Sequence, residues 1–571
     1  MKKPLFWLSM LVLVLSAFLA ACSGGGSSEP SNTEKEKENA AEENGPQDGG
    51  TLTYALDTEF KGLLNWNFYD MDGDDDIIEL FDDPLIDYDE NLQAQPNIAS
   101  WETEDNKNYT FTFEKGVKWH NGEELTVNDW VFAIETIATL GGEHQRWSNV
   151  NTIEGVKDFN EGKADSISGL EVVDDYTLKI AFDKARVNNL ENVWAYPLSR
   201  KEFEGIKPKD MAASEQVRTK PVGTGPFKVA KVVPGESVEL VRNEEYWKGK
   251  PHLEKIIVKV IDSSLTTGEL KNGTVDLAPF HPTVLPEVEA LENVEVVKYP
   301  GLSYYYVGFK LGKFDGKKVV MDIEKYQNTK LRQAMLYAIN REEWVDAFFS
   351  GLGKPLNRPI PTSHWIAADN ADMPVQYEYD PEKAKALLDE AGYKDADGDG
   401  FREDPNGKEF VVNFSHYATG NPTFEARAKA FTQYWEEVGL KTKLQMTDVN
   451  LYYDQLEKDD PSLEVFYGGW GTGTDPDPLP LWGNDTVWNY PRWVNDDAQK
   501  LLEDAVDIEV VGTDTEKRKE LYVEWQKIFN EEVPVLPILE LEEVMAVNER
   551  VQGVEYDVSG QNSAHEWWIK Q

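Results

Sequence analysis

The chain has a single cysteine among 571 residues, Cys22, so no disulfide can form within it and no multi-thiol metal motif can exist. Positive charge is scarce: 57 Lys and Arg stand against 104 Asp and Glu, a formal net charge of -47. Such an acidic surface excludes nucleic acid and anionic lipid as partners of the folded body. Histidine is sparse as well. His120, His144, His252, His281, His364, His416 and His565 are scattered, none in HExxH or four residues from another, which disfavours a zinc hydrolase. The sequence also lacks a GxSxG elbow, a phosphate-binding loop and a dinucleotide fingerprint. Beyond the N-terminus, no apolar run approaches the roughly 20 residues needed to cross a bilayer. Aromatic rings, in contrast, are plentiful, with 18 Trp and 24 Tyr, enough to fill several cores and still line a cavity.

The lone cysteine has a place that explains it. Lys2 and Lys3 precede an apolar stretch from Leu5 to Leu15, and Leu19-Ala20-Ala21 sets small residues before Cys22. This is an export signal (residues 1–21) ending in a lipobox, so Cys22 is expected to carry diacylglycerol, with palmitate-type acyl chains, and to become the mature N-terminus. Residues 22–49 contain no aromatic and no aliphatic side chain larger than alanine, as expected of a disordered acidic tether. The expected address is the extracellular face of the cell membrane, lipid-anchored.

From TLTYAL at Thr51 onward, strand and helix periodicities alternate without a fixed repeat. Strand patterns occur at NYTFTFEKG, DYTLKIAF, GPFKVAKVV, SVELVRN, KIIVKVI, VEVVKY, EFVVNFS and LKTKLQM. Helical patterns begin at Thr126, Asn328, Asp380 and Thr423, with Asp380-Pro381 opening one helix and Gly392 and Gly439 closing two. The length requires two or three domains of mixed α/β character.

The segment Asp83 to Ile137, with its GVKWHNG turn and the helix opened by Thr126 and Asp129, resembles the signature region of the solute-binding proteins that serve ABC importers of peptides (family 5). The likeness continues in order through PVGTGPFKV, RNEEYWKGKPHLEKIIVKVI, NTKLRQAMLYAINRE, DPEKAKALLDEAGYKDADGDG and GGWGTGTDPDP, and is strongest toward the oligopeptide-binding lipoproteins of Gram-positive bacteria. The resemblance implies a type II periplasmic-binding-protein-like clamshell of three domains, two lobes and a hinge. Residues 50–95, 222–310 and 530–571 would form lobe I, residues 96–221 an inserted domain, and residues 311–529 lobe II. It implies a non-enzymatic protein that captures oligopeptides by closure and delivers them to a transmembrane permease. Nothing in the sequence calls for dimerisation, so a monomer is expected. Dipeptides, sugars, nickel complexes or a sensed signal peptide are the alternatives within the fold; a membrane-tethered glycoside hydrolase is the alternative of another class.

A peptide held between lobes can pair its backbone as an added strand while aromatic walls receive its side chains. Tyr304, Tyr305, Tyr306, Trp470, Trp482, Trp488 and Trp493 are the candidate walls, although three successive tyrosines cannot share one face of a strand. The resemblance places an acidic residue for the peptide's ammonium group in GGWGTGTDPDP. The candidates are Asp475, favoured for following the glycine-rich turn, and Asp477, with an ordinary Asp-Pro turn as the competing reading. Finally, Asp395, Asp397 and Asp399 alternate as in a calcium loop, with Phe401 and Glu403 able to add ligands. Asn406 stands where a bidentate glutamate is expected, and the competing reading is an acidic turn.

Overall fold

The structure is a computed structural model that describes residues 45–418 and 423–570. Residues 1–47 and 48–571 separate into two units, and the second holds all of the strands and helices of the described residues. The export signal, Cys22 and most of the tether lie outside the described residues.

Eleven strands form one sheet. One side begins with Thr51–Leu56, whose alternating apolar side chains bury Leu52 and Tyr54, and which pairs in parallel with Lys255–Val260 from Thr51↔Lys255 to Leu56↔Val260. Ser237–Arg242 and Phe227–Val233 extend it outward as antiparallel neighbours. The other side carries Val465–Gly471, Val411–Ala418 and Lys441–Asp448. Its helices include Thr423–Glu437, which is followed by Gly439 at φ +85°, as its sequence predicts. The helical pattern from Asn328 resolves into two helices, Thr329–Tyr337 and Arg341–Phe349. Asn340 separates them, because its side chain accepts from the Glu343 N–H and so caps the second.

Two long antiparallel strands, Val294–Phe309 and Val535–Asn548, join the halves. Their pairing runs regularly from Val294↔Asn548 to Pro300↔Glu542, breaks, and resumes at Tyr304↔Glu540. Three residues, 301–303, thus oppose Leu541 alone, a bulge of the kind that bends a strand and raises its twist. Gly301 sits in this break, where a Cβ would lie 2.6 Å from the Leu541 carbonyl oxygen. On one side of the break Tyr304, Val307 and Phe309 join an apolar core with Val535, Leu536 and Leu539; on the other, Met545 and Val547 join a second core with Leu52 and Ile256. The lobe boundary therefore falls inside both strands. The strands themselves run through the break as continuous segments, Val294–Phe309 and Val535–Asn548, to either side of the boundaries expected at residues 310 and 530.

Between the first strand and Phe227–Val233 lies a separate four-stranded antiparallel sheet in the order Ala99–Thr103, Asn108–Phe113, Thr177–Ala181, Leu170–Asp174. The helix Val127–Leu140 starts at a reciprocal capping box of Thr126 and Asp129 and sets buried Trp130 edge-on to Phe111, ring centroids 4.8 Å apart. Apolar residues of this sheet and of lobe I form one continuous core. His120, in the GVKWHNG turn, ties the segment to PVGTGPF: its Nδ1 accepts from the Gly223 N–H at 3.1 Å and its Nε2 lies 3.0 Å from the Gly225 carbonyl oxygen. Burial holds its pKa down, to about 4, so the ring is a neutral staple. Gly223 is required there, since a Cβ would meet the Phe81 carbonyl oxygen at 2.2 Å.

Candidate functional site at the seam between the lobes

The loop that follows Val465–Gly471 carries Asp475 to the seam. Asp475 Oδ1 accepts from Arg518 Nη2 at 2.9 Å, and the two side chains are only 13 % and 7 % exposed. Its Oδ2 accepts from Asn188 Nδ2 at 2.6 Å and from Asn192 Nδ2 at 3.2 Å. Arg518 lies on the lobe II helix Thr515–Glu532, whereas the two asparagines belong to the inserted segment. From its motif Asp475 is expected to face a peptide ammonium; both of its carboxylate oxygens accept from protein donors, so that it bridges the Thr515–Glu532 helix and the inserted segment, a contact called the latch below. Asp477 stands behind it, accepting from the Leu479 N–H at 3.0 Å and from the Tyr522 hydroxyl at 3.2 Å. Burial, then the Asp475 charge, push its pKa up to about 7.

The predicted aromatic walls divide by strand alternation. Tyr304 and Tyr306 point into the lobe II core at 1 % and 0 % exposure, and Trp482 and Trp493 are buried with them. Trp482 Nε1 donates to the Tyr304 hydroxyl at 3.1 Å, and Trp493 Nε1 donates to Glu532 at 2.7 Å. These four are core, which corrects their reading as ligand walls. Tyr305 faces the opposite way, half-buried and stacked on Tyr467 at 5.9 Å. Trp470 stacks on Tyr490 at 5.1 Å and keeps its indole N–H buried without a partner, and Trp488 stands edge-on to it and is 44 % exposed. Tyr305, Trp470 and Trp488 thus retain surface for a ligand.

Three cavities lie along the seam around the latch. One, of about 340 Å³, has walls of Trp66, Tyr88, Trp194 and Tyr196 from lobe I and the inserted segment, with Thr474 from the latch loop. A second, of about 240 Å³, shares Thr474 and Glu191 with the first. A third, of about 700 Å³, touches Asn188, Asn192 and Asp477. The aromatic walls of the first are packed as a unit, with Trp66 and Tyr196 centroids 4.5 Å apart and Trp194 and Tyr196 4.8 Å apart. Their indoles are fixed by hydrogen bonds to the Asp82 carbonyl oxygen and to Asn67. Glu79 lines this chamber and is exposed; desolvation by the surrounding walls, then the charges of Asp75 and Asp76, raise its pKa above the ordinary carboxylate range.

Several carboxyls around the seam share this character. Burial, then the Asp475 charge, push Glu191 up to about 7; burial, then Asp75, push Asp76 up to about 7; burial, then Asp72, raise Asp75 to about 6. A carboxyl with a raised folded pKa costs the fold nothing below its unfolded pKa, where both states hold the proton. The cost grows as pH climbs to the folded value and is complete above it. Glu191→Gln is therefore expected to match the wild type at pH 4 and to exceed it by about 1–3 kcal/mol at pH 8, the partial exposure of the residue holding the gain below full conversion of the shift. Urea denaturation of both proteins at the two pH values measures the difference.

The acidic loop converges as its alternation predicts, with one carboxylate oxygen each of Asp395, Asp397 and Asp399 within 4.8 Å of one another, all exposed. Asp395 accepts from the Gly398 and Gly400 N–H groups. Glu403 turns its carboxylate to the Ala396 N–H at 2.7 Å, and Phe401 donates its own N–H to Asp399 at 2.8 Å.

Sequence reading alone did not find Glu79, Trp66, Trp194, Tyr196 or the Arg518 and asparagine partners of Asp475. The paired rings in ENVWAYP offered a local signal; the latch offered none, the partners of Asp475 lying 43 to 287 positions from it.

Comparison with known proteins places this architecture. Residues 93–490 match the family model described as bacterial extracellular solute-binding proteins, family 5. Across the whole chain, and 99% of its relative, it is 27% identical to the oligopeptide-binding protein AppA of Bacillus subtilis. It is 28% identical to the oligopeptide-binding protein OppA of Lactococcus lactis over 80% of this chain and 78% of that one. Among solved structures, lactococcal OppA with an endogenous peptide in the closed conformation superposes with a TM-score of 0.76 at 25% identity, covering 91% of this chain and all of that one. AppA from Bacillus subtilis with a nonapeptide gives 0.70 at 25% identity, covering 92% of this chain and all of that one. The chain belongs to the bacterial extracellular solute-binding proteins of family 5, and has their type II, mixed α/β fold.

Proposed function

We propose that this protein captures oligopeptides outside the cell by closing its two lobes over them and presents them to the membrane permease of an ABC importer. The observation that carries this reading is the seam itself: a two-strand hinge on one side, a latch at Asp475 on another, and aromatic-walled chambers between. The peptide-bound relatives support it, and the motifs of hydrolytic enzymes are missing from the sequence. Gly471 and Gly473 leave backbone uncovered beside Thr474, where a peptide main chain can pair without its side chains being read. Trp470 and Trp488 offer adaptable apolar contact next to it. Titration calorimetry with alanine-based peptides of two to twelve residues, paired with small-angle scattering, tests the reading. Binding of the longer peptides with a smaller radius of gyration supports it; heat with oligosaccharides or nickel complexes and none with peptides contradicts it.

The proposal includes a lipid anchor at Cys22 and an acidic tether that holds a monomeric body off the membrane surface. Cys22→Ser is expected to move the protein from the membrane fraction to the medium or to leave it uncleaved at the signal, with loss of the acyl mass from the N-terminal peptide. Fractionation and mass spectrometry read both.

A further inference from the structure

The 340 Å³ chamber has an unbalanced wall. Among the described residues, Glu79, Asp82, Asp83, Asp87 and Glu191 line it against one cation, Lys248. Two of these carboxylates are pinned: Asp82 accepts from the Thr224 N–H at 3.0 Å, and Asp83 from Tyr246 at 2.9 Å and Trp247 at 2.8 Å. Asp87 accepts from the neighbouring Tyr88 N–H at 2.9 Å. Glu79 receives Gln561 Nε2 at 3.1 Å, a neutral donor. Glu191 Oε2 is buried and has no hydrogen-bond partner. Arg518 lies within electrostatic reach of Glu191 but gives its Nη2 to Asp475 at 2.9 Å and to the Tyr522 hydroxyl at 3.1 Å. Arg146 is clamped between the Tyr69 and Trp194 rings at 4.4 and 4.7 Å and donates to the Tyr69 carbonyl oxygen.

A buried carboxylate oxygen without a donor is costly unless something brings one. The chamber around it is too large for a bare ammonium group and is walled by four aromatic rings, which suit an aliphatic stem and a cation over a ring face. We propose that this chamber receives a lysine or arginine side chain of the bound peptide, with Glu191 and Glu79 as its counter-charges, so that the protein selects basic peptides. The inference rests on the peptide reading above and adds a specificity to it. Thr474, at the rim and on the latch loop, puts the chamber beside the proposed main-chain track, so a side chain can enter while the backbone stays at the seam.

The test is a calorimetric series on the full mature protein with one alanine-based hexapeptide scaffold carrying lysine, arginine, norleucine, glutamine or glutamate at each position in turn, every peptide made with free and acetylated N-termini. We expect lysine and arginine at one position to bind at least 10-fold tighter than norleucine and glutamine there, and glutamate more weakly than any. N-acetylation is expected to leave that preference intact. Glu191→Gln, and independently Glu79→Gln, are expected to shrink the lysine-to-norleucine ratio below about 3-fold while norleucine peptides bind as to wild type, which also shows that the variants are folded. Equal affinity for lysine and norleucine at every position overturns the inference and leaves peptide capture standing. Loss of affinity on acetylation, with lysine and norleucine alike, also overturns it and assigns the charge to the α-ammonium group. If no peptide of the series binds, the peptide reading falls and this inference with it.

Discussion

Asp475→Ala is expected to lower the unfolding free energy by about 3–5 kcal/mol, because it removes the carboxylate hydrogen-bonded to the buried Arg518 guanidinium. Arg518 is 7 % exposed, and the other acids whose charges reach it, Asp477 and Glu191, have pKa values pushed up to about 7, by burial first, so they replace the lost carboxylate only in part. The cost separates into two parts that can be measured apart. The Arg518 contact lies within lobe II and supports its fold; the Asn188 and Asn192 contacts cross the seam and support closure. Asn188→Ala with Asn192→Ala should therefore leave the unfolding free energy within about 1 kcal/mol of wild type, since both asparagines sit at the edge of their element. It should still weaken ligand binding by roughly 10- to 100-fold, the worth of about 1.5–3 kcal/mol for hydrogen bonds to a charged group. Asp475→Ala should lose both. Denaturant titration and calorimetry on the two variants, with Arg518→Ala to complete a double-mutant cycle, decide whether the latch is divided this way.

Gly301→Val acts on the opposite side of the seam and should change the lobe geometry. A Cβ at this position falls 2.6 Å from the Leu541 carbonyl oxygen, with the Glu543 Oε1 at 3.1 Å, and the first of these is backbone that cannot swing aside. The strand Val535–Asn548 must move away where the pairing with Val294–Phe309 is already broken. We expect a cost of about 1–3 kcal/mol and an opened resting angle between lobes, seen as a larger radius of gyration in solution scattering. The hinge bonds nearby favour the same outcome: the Ser363 hydroxyl donates to the Gly301 carbonyl oxygen at 2.8 Å, and the Thr472 N–H to that of Leu302 at 2.9 Å. Thr472 starts the latch loop, so a displaced Gly301 loosens both ends of the closure. A variant with wild-type scattering and affinity would remove the hinge from this bulge.

Strand and helix identities were legible wherever the apolar period was local. KIIVKV, NYTFTF and the Thr126-to-Asp129 capping box give their own geometry within a few residues. The hinge was not legible, because VEVVKY reads as a short strand ending at Pro300, while tertiary pairing with Val535–Asn548 carries it on to Phe309. Strand alternation settled Tyr304 to Tyr306 only in part: it requires one ring to differ from the others, but which face is the core depends on Val465–Gly471 and the helices behind it. The motif points to Asp475 but not to its protein partners. A glycine-rich turn before an aspartate suits a ligand and an internal latch equally, and the deciding partners, Asn188 and Arg518, are remote in sequence. The chamber carboxylates were invisible for another reason: with 104 acidic residues, composition hides the few that face an enclosed space.

The central claim, capture of peptides at the seam, is tested most directly by native mass spectrometry of the mature protein purified from cells and then offered a mixed peptide pool. The account predicts added masses that resolve into peptides, in smaller proportion when Asn188 and Asn192 are both replaced by alanine. A bare mass with every peptide, together with a shift on adding sugars or metal complexes, would contradict it while leaving the fold intact.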